Sequence, residues 1–334
     1  MSYVLTPAES MQSEIRRVAT ERLDDAIGML DGLTASEPTE IEQAVHEVRK
    51  RCKEVRGLAR LVRQALGPNF KPFDRAVRDA AATLSSIRDA HAVLATFDNL
   101  RSAQAGAITP ELDEVRIGQA ALAADATIQL QQSDDRLTIA RSLLIDAKQQ
   151  IEHWKIPSGF SPLGDGLLVT YRRGHHGLRR AHKKTKDRRM HEWRKAVKYL
   201  WYQVRLVEQA APSILEPLKE RLDDLGDALG DDHDLTVLIE RLDRDPHAYG
   251  SRKAVKHARR LARKQQRKLR RRAFRLGESL YAEDDEAFVA RIEAYWNTTL
   301  QYGEERPTGG ITDLIDISSE STTATESGLL GVAD

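Results

Sequence analysis

The chain of 334 residues contains 31% charged, 40% hydrophobic and only 5% aromatic residues, which is typical of a globular protein with a charge-rich surface and argues against a base-stacking platform. Its single cysteine excludes an internal disulfide, and it has no apolar run of the roughly 20 residues that a membrane-spanning helix needs. The N-terminus carries no secretory signal, so we expect a cytoplasmic protein.

Helical periodicity dominates the sequence from one end to the other. Between Val45 and Val62, apolar residues recur at intervals of three and four, which places them on one face of a helix. The same reasoning predicts helices at 7–31, 38–66, 71–103, 110–153, 163–186, 187–210, 213–243, 246–281 and 284–301. No alternating β pattern of useful length is present, so the predicted fold class is all-α. Residues 303–334 are rich in Ser, Thr, Gly and acids and are predicted to form a disordered tail.

The chain also repeats itself. Residues 46–53 (HEVRKRCK) align with residues 191–198 (HEWRKAVK) at an offset of 145, and residues 87–94 (IRDAHAVL) resemble residues 229–236 (LGDDHDLT). This repeat predicts two pseudo-symmetric four-helix bundles with long antiparallel helices, at about 7–155 and 160–301.

The net charge of +1 hides a strong segregation of charge. Counting Lys and Arg against Asp and Glu gives +5 for residues 46–63, +10 for 172–198 and +13 for 252–275. Such runs are often solvated helix faces with salt bridges between residues four apart. Two of these runs have almost no acids to pair with, so we favour a surface that binds an anion.

The candidate binding residues lie on four predicted helices, and we expect them to line a shared basic groove or pore. Arg offers a planar fork to phosphate oxygens and Lys a flexible point charge. The candidates are His46, Arg49, Lys50, Lys53, Arg56, Arg60, Tyr171, Arg172, Arg173, Arg179, Arg180, Lys183, His191, Arg194, Lys195, Lys198, Arg205, Arg260, Arg263, Lys264 and Arg267. The alternative for the two histidines is a structural role in which a carboxylate across the bundle satisfies each ring.

The paired His-Glu-x-Arg-Lys-x-x-Lys motifs, with residues 87–89 and 229–232, resemble the CHAD family, the conserved histidine α-helical domain. The resemblance spans about residues 7–301, so a CHAD domain is expected at 1–302. It implies two four-helix bundles around a basic central channel that binds inorganic polyphosphate, and association with polyphosphate granules. The motif residues that it carries over are His46, Arg49, Lys50, Lys53, His191, Arg194, Lys195 and Lys198. Many members also carry a CYTH triphosphate-tunnel domain, which we do not expect here. The repeat is not exact, because Gly230 occupies the position that aligns with Arg88.

Two other functions stay open at this point. The acidic run Asp231 to Asp234 resembles part of a metal-dependent phosphohydrolase site, but adjacent helical residues point in different directions. We therefore expect no enzyme, metal or cofactor. The stronger rival is RNA or another nucleic acid, although few aromatic side chains interleave with the basic residues. The expected partner is polyphosphate, without a membrane, for a protein that is a monomer or a homodimer.

Overall fold

The computed structural model describes residues 3–7, 9–31, 33, 38–103, 109–131 and 135–302, with the backbone alone at 38–39, 85–91 and 126–131. The helices are α1 Met11–Asp31, α2 Pro38–Leu61, α3 Arg63–Leu66, α4 Phe70–Thr83, α5 Ser85–Ser102, α6 Pro110–Gln131, α7 Asp135–Ile151, α8 Ser161–Lys183, α9 Asp187–Val207, α10 Pro212–Arg244, α11 Arg252–Leu280 and α12 Asp285–Tyr302. These ranges contain no strand, which confirms the all-α prediction. The predicted tail at 303–334 lies outside the described residues.

Each half of the chain closes four helices into a ring of contacts. In the first half, α1 packs on α2, α2 on α4, α4 on α7 and α7 on α1. In the second half, α8 packs on α9, α9 on α10, α10 on α11 and α11 on α8, with α12 added against α8. The symmetry between the halves stays a prediction.

Helix α2 joins the two halves because it contacts both α8 and α9. The predicted apolar stripe of α2 is buried at each of its positions, from Val45 to Val62. The stripe of α9 is likewise buried from Met190 to Val207. One continuous core therefore runs through both halves, and the cationic sides of α2 and α9 are left for the surface.

A smaller second core lies where α5 and α6 pack against α10 and α11. The sequence predicted single helices at 71–103 and 110–153, but the structure has two helices in each range. The first break falls at Leu84, whose φ of −91° and ψ of 4° leave the helical region. The shorter helices let α5 and α6 turn away from the first bundle toward the second.

Two glycines set the positions of helices α8 and α11. An added Cβ at Gly166 of α8 would lie 1.8 Å from the carbonyl oxygen of Leu61, so only glycine allows this approach of α8 to α2. Gly250 has a φ of +110°, which ends the turn before α11. Ser251 then caps α11 by accepting a hydrogen bond from the Ala254 N–H at 3.3 Å. Helix α11 therefore begins at Arg252, six residues later than predicted.

Candidate functional site: a basic groove between the two halves

An open groove of about 850 Å³ lies between α2 of the first half and α8 and α9 of the second. Eight Lys or Arg side chains and one carboxylate line it. The lining residues are Arg56, Arg60, Arg173, His176, Gly177, Arg180, Lys186, Arg188, Arg189, Glu192, Lys195, Ala196 and Tyr199. The groove is therefore strongly cationic, and both halves contribute to it.

Helix α2 contributes Arg56 and Arg60, which lie one turn apart and share Asp74 of α4. Arg56 Nε donates to Asp74 Oδ1 at 2.9 Å, and Arg60 Nη2 donates to the same oxygen at 3.0 Å. Burial lowers the pKa of the Arg56 guanidinium, but the hydrogen bond and charge of Asp74, together with Tyr199 and Cys52, outweigh burial and the pKa is raised. Arg60 also lies 4.6 Å over the Tyr199 ring of α9. One carboxylate thus fixes two guanidiniums and leaves excess positive charge.

Helix α8 and the turn after it contribute cations that lack acidic partners. Within the described part of the chain, Arg173, Arg180, Lys186 and Arg188 form no ion pair with a carboxylate, and all four are exposed. Arg189 donates from Nη1 to the carbonyl oxygen of Arg180 at 2.8 Å. The same carbonyl also accepts from the Lys184 N–H at 3.3 Å, so the Arg189 side chain adds a second bond at the end of α8 and holds the turn in place.

The α9 side of the groove carries its one carboxylate. Lys195 Nζ lies 2.6 Å from Glu192 Oε1, one turn earlier on the same helix. This hydrogen bond lowers the pKa of Glu192, which therefore stays charged at neutral pH. Both side chains are exposed, so the pair is easily rearranged when a stronger anion is present.

Five predicted residues, Arg56, Arg60, Arg173, Arg180 and Lys195, come together in this groove. The motif residues of α2 lie farther along that helix. His46, Lys50 and Lys53 are exposed outside the groove, and Lys50 pairs with Glu47 at 3.4 Å. Arg49 Nη1 donates to the carbonyl oxygen of Ala81 at 2.5 Å.

The motif residues of α9 mostly face other helices. The His191 ring packs against His233 of α10, with ring centroids 4.4 Å apart. Arg194 is half-buried near Gly230 of α10. Lys198 Nζ lies 3.2 Å from Asp223 Oδ1.

Arg205 ends the predicted basic side of α9 and binds across the two halves. Its Nη1 donates to Oε1 of the buried Glu54 on α2 at 3.2 Å. Its guanidinium lies over the rings of Tyr3 and Trp201. Arg205 therefore connects α9 to α2 and does not line the groove.

The remaining candidates on α8 lie outside the groove. Tyr171 is fully buried, and its hydroxyl hydrogen-bonds the carbonyl oxygens of Leu280 and Glu283. Arg172 pairs with Asp285 and Glu286 of α12. Arg179 and Lys183 are exposed on the neighbouring face of α8.

The candidates on α11 form a separate surface. Arg260 and Arg263 line a second concavity of about 530 Å³, together with His247, Arg252 and Lys256. Lys264 and Arg267 are exposed on the outer side of the helix.

Five lining residues whose cationic or ring side chains could contact an anion were not among the predicted candidates: His176, Lys186, Arg188, Arg189 and Tyr199. A signal was present, because three of them are cations within the basic run 172–198, at the turn between two predicted helices. That turn lies beside α2 only in the folded protein. The sequence therefore indicates that the turn is cationic, but not that α2 lies next to it.

The acidic run on α10 divides among different surroundings. Asp232 is buried and accepts from Arg270 Nε at 2.6 Å, as expected for an acid that pairs with a basic helix. Asp231 and Asp234 line a small pocket beside α5 instead. Among the described residues, no group of three or more His, Cys, Asp or Glu is arranged to hold a metal ion.

The fold and the groove define an all-helical protein with a cationic cleft shared by its two halves. A family model described as "CHAD domain" matches residues 17–243, which is more than half of the chain. The chain therefore belongs to the CHAD-domain family, as its paired motifs predicted. No curated protein matches it. Of the helices in the described ranges, none is long and apolar enough to cross a membrane.

Proposed function

We propose that this protein binds inorganic polyphosphate, or a similar phosphate-rich polyanion, in the basic groove, and that it is a binding module and not an enzyme. One observation carries the proposal. Arg173, Arg180, Lys186 and Arg188 converge on the groove, and within the described residues none of them forms an ion pair with a carboxylate, although the charge of Arg188 contributes to lowering the pKa of Glu192. Unpaired like charges repel each other and destabilise the fold, so a bound anion would complete this surface.

The chemistry of the groove suits a chain of phosphates. Guanidiniums form two parallel hydrogen bonds to phosphate oxygens, and the lysines add mobile charge. Tyr199 is the only Phe, Tyr or Trp among the lining residues, and Arg60 covers one face of its ring. Base stacking therefore has little to use here, which favours polyphosphate over RNA. Membership of the CHAD-domain family supports the same ligand, and we extend the proposal to association with polyphosphate granules.

Removing two groove cations tests the proposal. We expect R173Q/R180Q to lower the affinity for tripolyphosphate by about 100-fold, because each lost charge-assisted contact contributes roughly 1.5 kcal/mol. The affinity of the wild type should also fall steeply with salt, since several phosphates are neutralised together. Both effects are measured by isothermal titration calorimetry.

The control variant R179Q/K183Q removes the same charge from the neighbouring face of the same helix. These two side chains are exposed and lie outside the groove, so we expect less than about a threefold change in affinity. Equal losses in the two variants would refute the groove as the site. So would unchanged binding in R173Q/R180Q.

Two further outcomes would replace the proposal with its rivals. If RNA binds wild type more tightly than polyphosphate at matched salt, the protein is a nucleic-acid binder. If it releases phosphate from polyphosphate in the presence of Mg²⁺, and D231A/D232A abolishes the release, it is an enzyme.

A further inference from the structure

Helix α11 passes the end of the groove at the turn between α8 and α9. Arg270 Nη2 lies 2.5 Å from Oδ1 of Asp187, the first residue of α9. Asp187 stands between Lys186 and Arg188, which both line the groove. Nearby, the His182 ring of α8 packs on Phe274 with ring centroids 4.1 Å apart. The α8–α9 turn and the middle of α11 are therefore direct neighbours.

The outer side of α11 carries a row of cations that recur every three or four residues. We call this set the α11 row: Lys256, Arg260, Arg263, Lys264, Arg267 and Arg271. At a rise of 1.5 Å per residue, the row extends over roughly 22 Å. All six side chains are exposed, and in the described part of the chain none pairs with an acid.

The cations on the flanks of α11 differ from the row because they are paired. Arg259 pairs with Asp243, Arg270 with Asp187 and Asp232, and Arg272 with Asp224. Pairing on the flanks ties the helix to α9 and α10. Most of the unpaired charge of α11 therefore lies along one line that faces solvent, although Lys268 and Arg275 beside that line also form no ion pair with a described carboxylate.

This line ends in the second concavity, where Lys256, Arg260 and Arg263 meet Arg252 and His247. The side chains of Lys, Arg and His on this surface are the kind that bind a chain of phosphates. Phe274 is the only Phe, Tyr or Trp between Arg252 and Arg275, and it packs against His182 and Trp193. No Phe, Tyr or Trp ring is therefore left on this stretch to stack a base.

We propose that a long polyphosphate chain leaves the groove at the α8–α9 turn and continues along the α11 row, so that the protein selects long chains over short ones. This inference rests on the proposed function of the groove. Helix α11 follows the last residue matched by the family model, Asp243, so the family assignment does not itself include this surface.

Chain length separates the two surfaces experimentally. The probes are tripolyphosphate, whose three phosphates can contact only a few cations at once, and long-chain polyphosphate, which can contact the groove and the α11 row together. In R263Q/R267Q/R271Q we expect the affinity for long chains to fall about tenfold, because three exposed ionic contacts each contribute a factor of two to three. The affinity for tripolyphosphate should stay within about twofold. The slope of log affinity against log salt should also decrease by about two for long chains only.

The matched control K71Q/K155Q/R221Q removes three exposed cations that line neither the groove nor the α11 row. We expect it to retain wild-type affinity for both probes. The groove variant R173Q/R180Q should weaken both probes. This pattern distinguishes a local track from a general loss of positive charge.

Several outcomes would overturn the inference while leaving the groove in place. One is wild-type binding of both probes with equal affinity per molecule, and another is an α11 variant that loses both probes equally. A third is an α11 variant that loses duplex nucleic acid but keeps long-chain polyphosphate, which would make the row a nucleic-acid surface. If wild type binds neither probe, the proposed function fails and this inference fails with it.

Discussion

Arg205 and Arg173 carry the same charge in similar stretches of sequence, but the fold gives them different surroundings. Arg205 reaches a buried carboxylate and lies over two aromatic rings, so it holds helices together. Arg173 is exposed in the groove with no acid beside it in the described residues. Pairing thus separates structural cations from those that are available to a ligand, and a count of charges along the chain cannot make that separation.

The motif histidine His191 is half-buried against helix α10, where its ring packs on His233. Burial, together with smaller contributions from the neighbouring His233, Lys195 and Arg194, lowers its pKa to about 4. Its Nδ1 is buried without a hydrogen-bond partner among the described residues. His191 is therefore neutral at neutral pH, and it packs on α10 and does not contact the groove.

This environment predicts a loss of stability in acid. The unfolded chain protonates His191 near its ordinary pKa of about 6.5, whereas the folded chain does so only near 4. The stability that depends on the neutral ring is complete above pH ~6.5 and is lost as the pH falls toward 4, by about 1–3 kcal/mol. Urea unfolding across this range should show a flatter pH dependence in H191Q.

An exposed histidine gives the control for this measurement. His247 lies in the turn before α11, and we expect H247Q to keep the wild-type pH dependence. The explanation is wrong if H191Q loses stability on acidification as steeply as wild type does.

At the scale of the helices, the sequence predicted what periodicity and helix breakers encode. The buried stripes of α2 and α9 and the ends at Gly67 and Pro212 follow from the residues themselves. No proline or glycine marks the break at Leu84. Beyond the break, α5 packs against α10, and the periodicity of the sequence does not reveal this tertiary contact. The candidate site shows the same limit: two of the basic runs lie on the helices that line the groove, but the packing of α2, α8 and α9 determines which of their side chains meet.

That packing depends on Gly166, whose substitution should separate α8 from α2. We expect G166A to lower the free energy of unfolding by about 1–3 kcal/mol, because the new methyl group collides with the Leu61 carbonyl oxygen and the helices must shift. Since both helices line the groove, the affinity for tripolyphosphate should fall as well.

The matched variant is G28A in α1. An added Cβ there has nothing within 4 Å, so alanine should stabilise the helix by about 0.5–1 kcal/mol. Thermal and urea unfolding measure both variants. Equal stabilisation of G166A and G28A would show that the close approach of α8 to α2 is not needed.

Across the whole molecule, the buried carboxylate of Glu54 links the two halves. It accepts from Arg51 Nη1 at 2.9 Å and Arg205 Nη1 at 3.2 Å, and Arg22 Nη1 lies 3.8 Å away. These guanidiniums come from α2, α9 and α1, and the continuous core surrounds them. Glu54 and Arg22 are fully buried, and Arg51 and Arg205 are only partly exposed, so this acid neutralises cations from both halves where solvent screening is weak.

We therefore expect E54Q to destabilise the entire chain and not one half of it. Loss of the acid leaves the buried Arg22 and the partly buried Arg51 and Arg205 with less compensation, which costs up to about 3 kcal/mol, the lower end for breaking a buried pair. The two probes are circular dichroism, which reports all helices, and tryptophan fluorescence, which reports Trp154 in the first half and Trp193, Trp201 and Trp296 in the second. Both should show one shared transition, at lower urea in E54Q than in wild type. In the control E47Q, which breaks the more exposed pairs of Glu47 with Lys50 and Arg51 and leaves Glu54 in place, the shift should stay within about 1 kcal/mol. Separate transitions for the two probes in wild type would mean that the halves fold independently, and the groove between them would then depend on contacts other than Glu54.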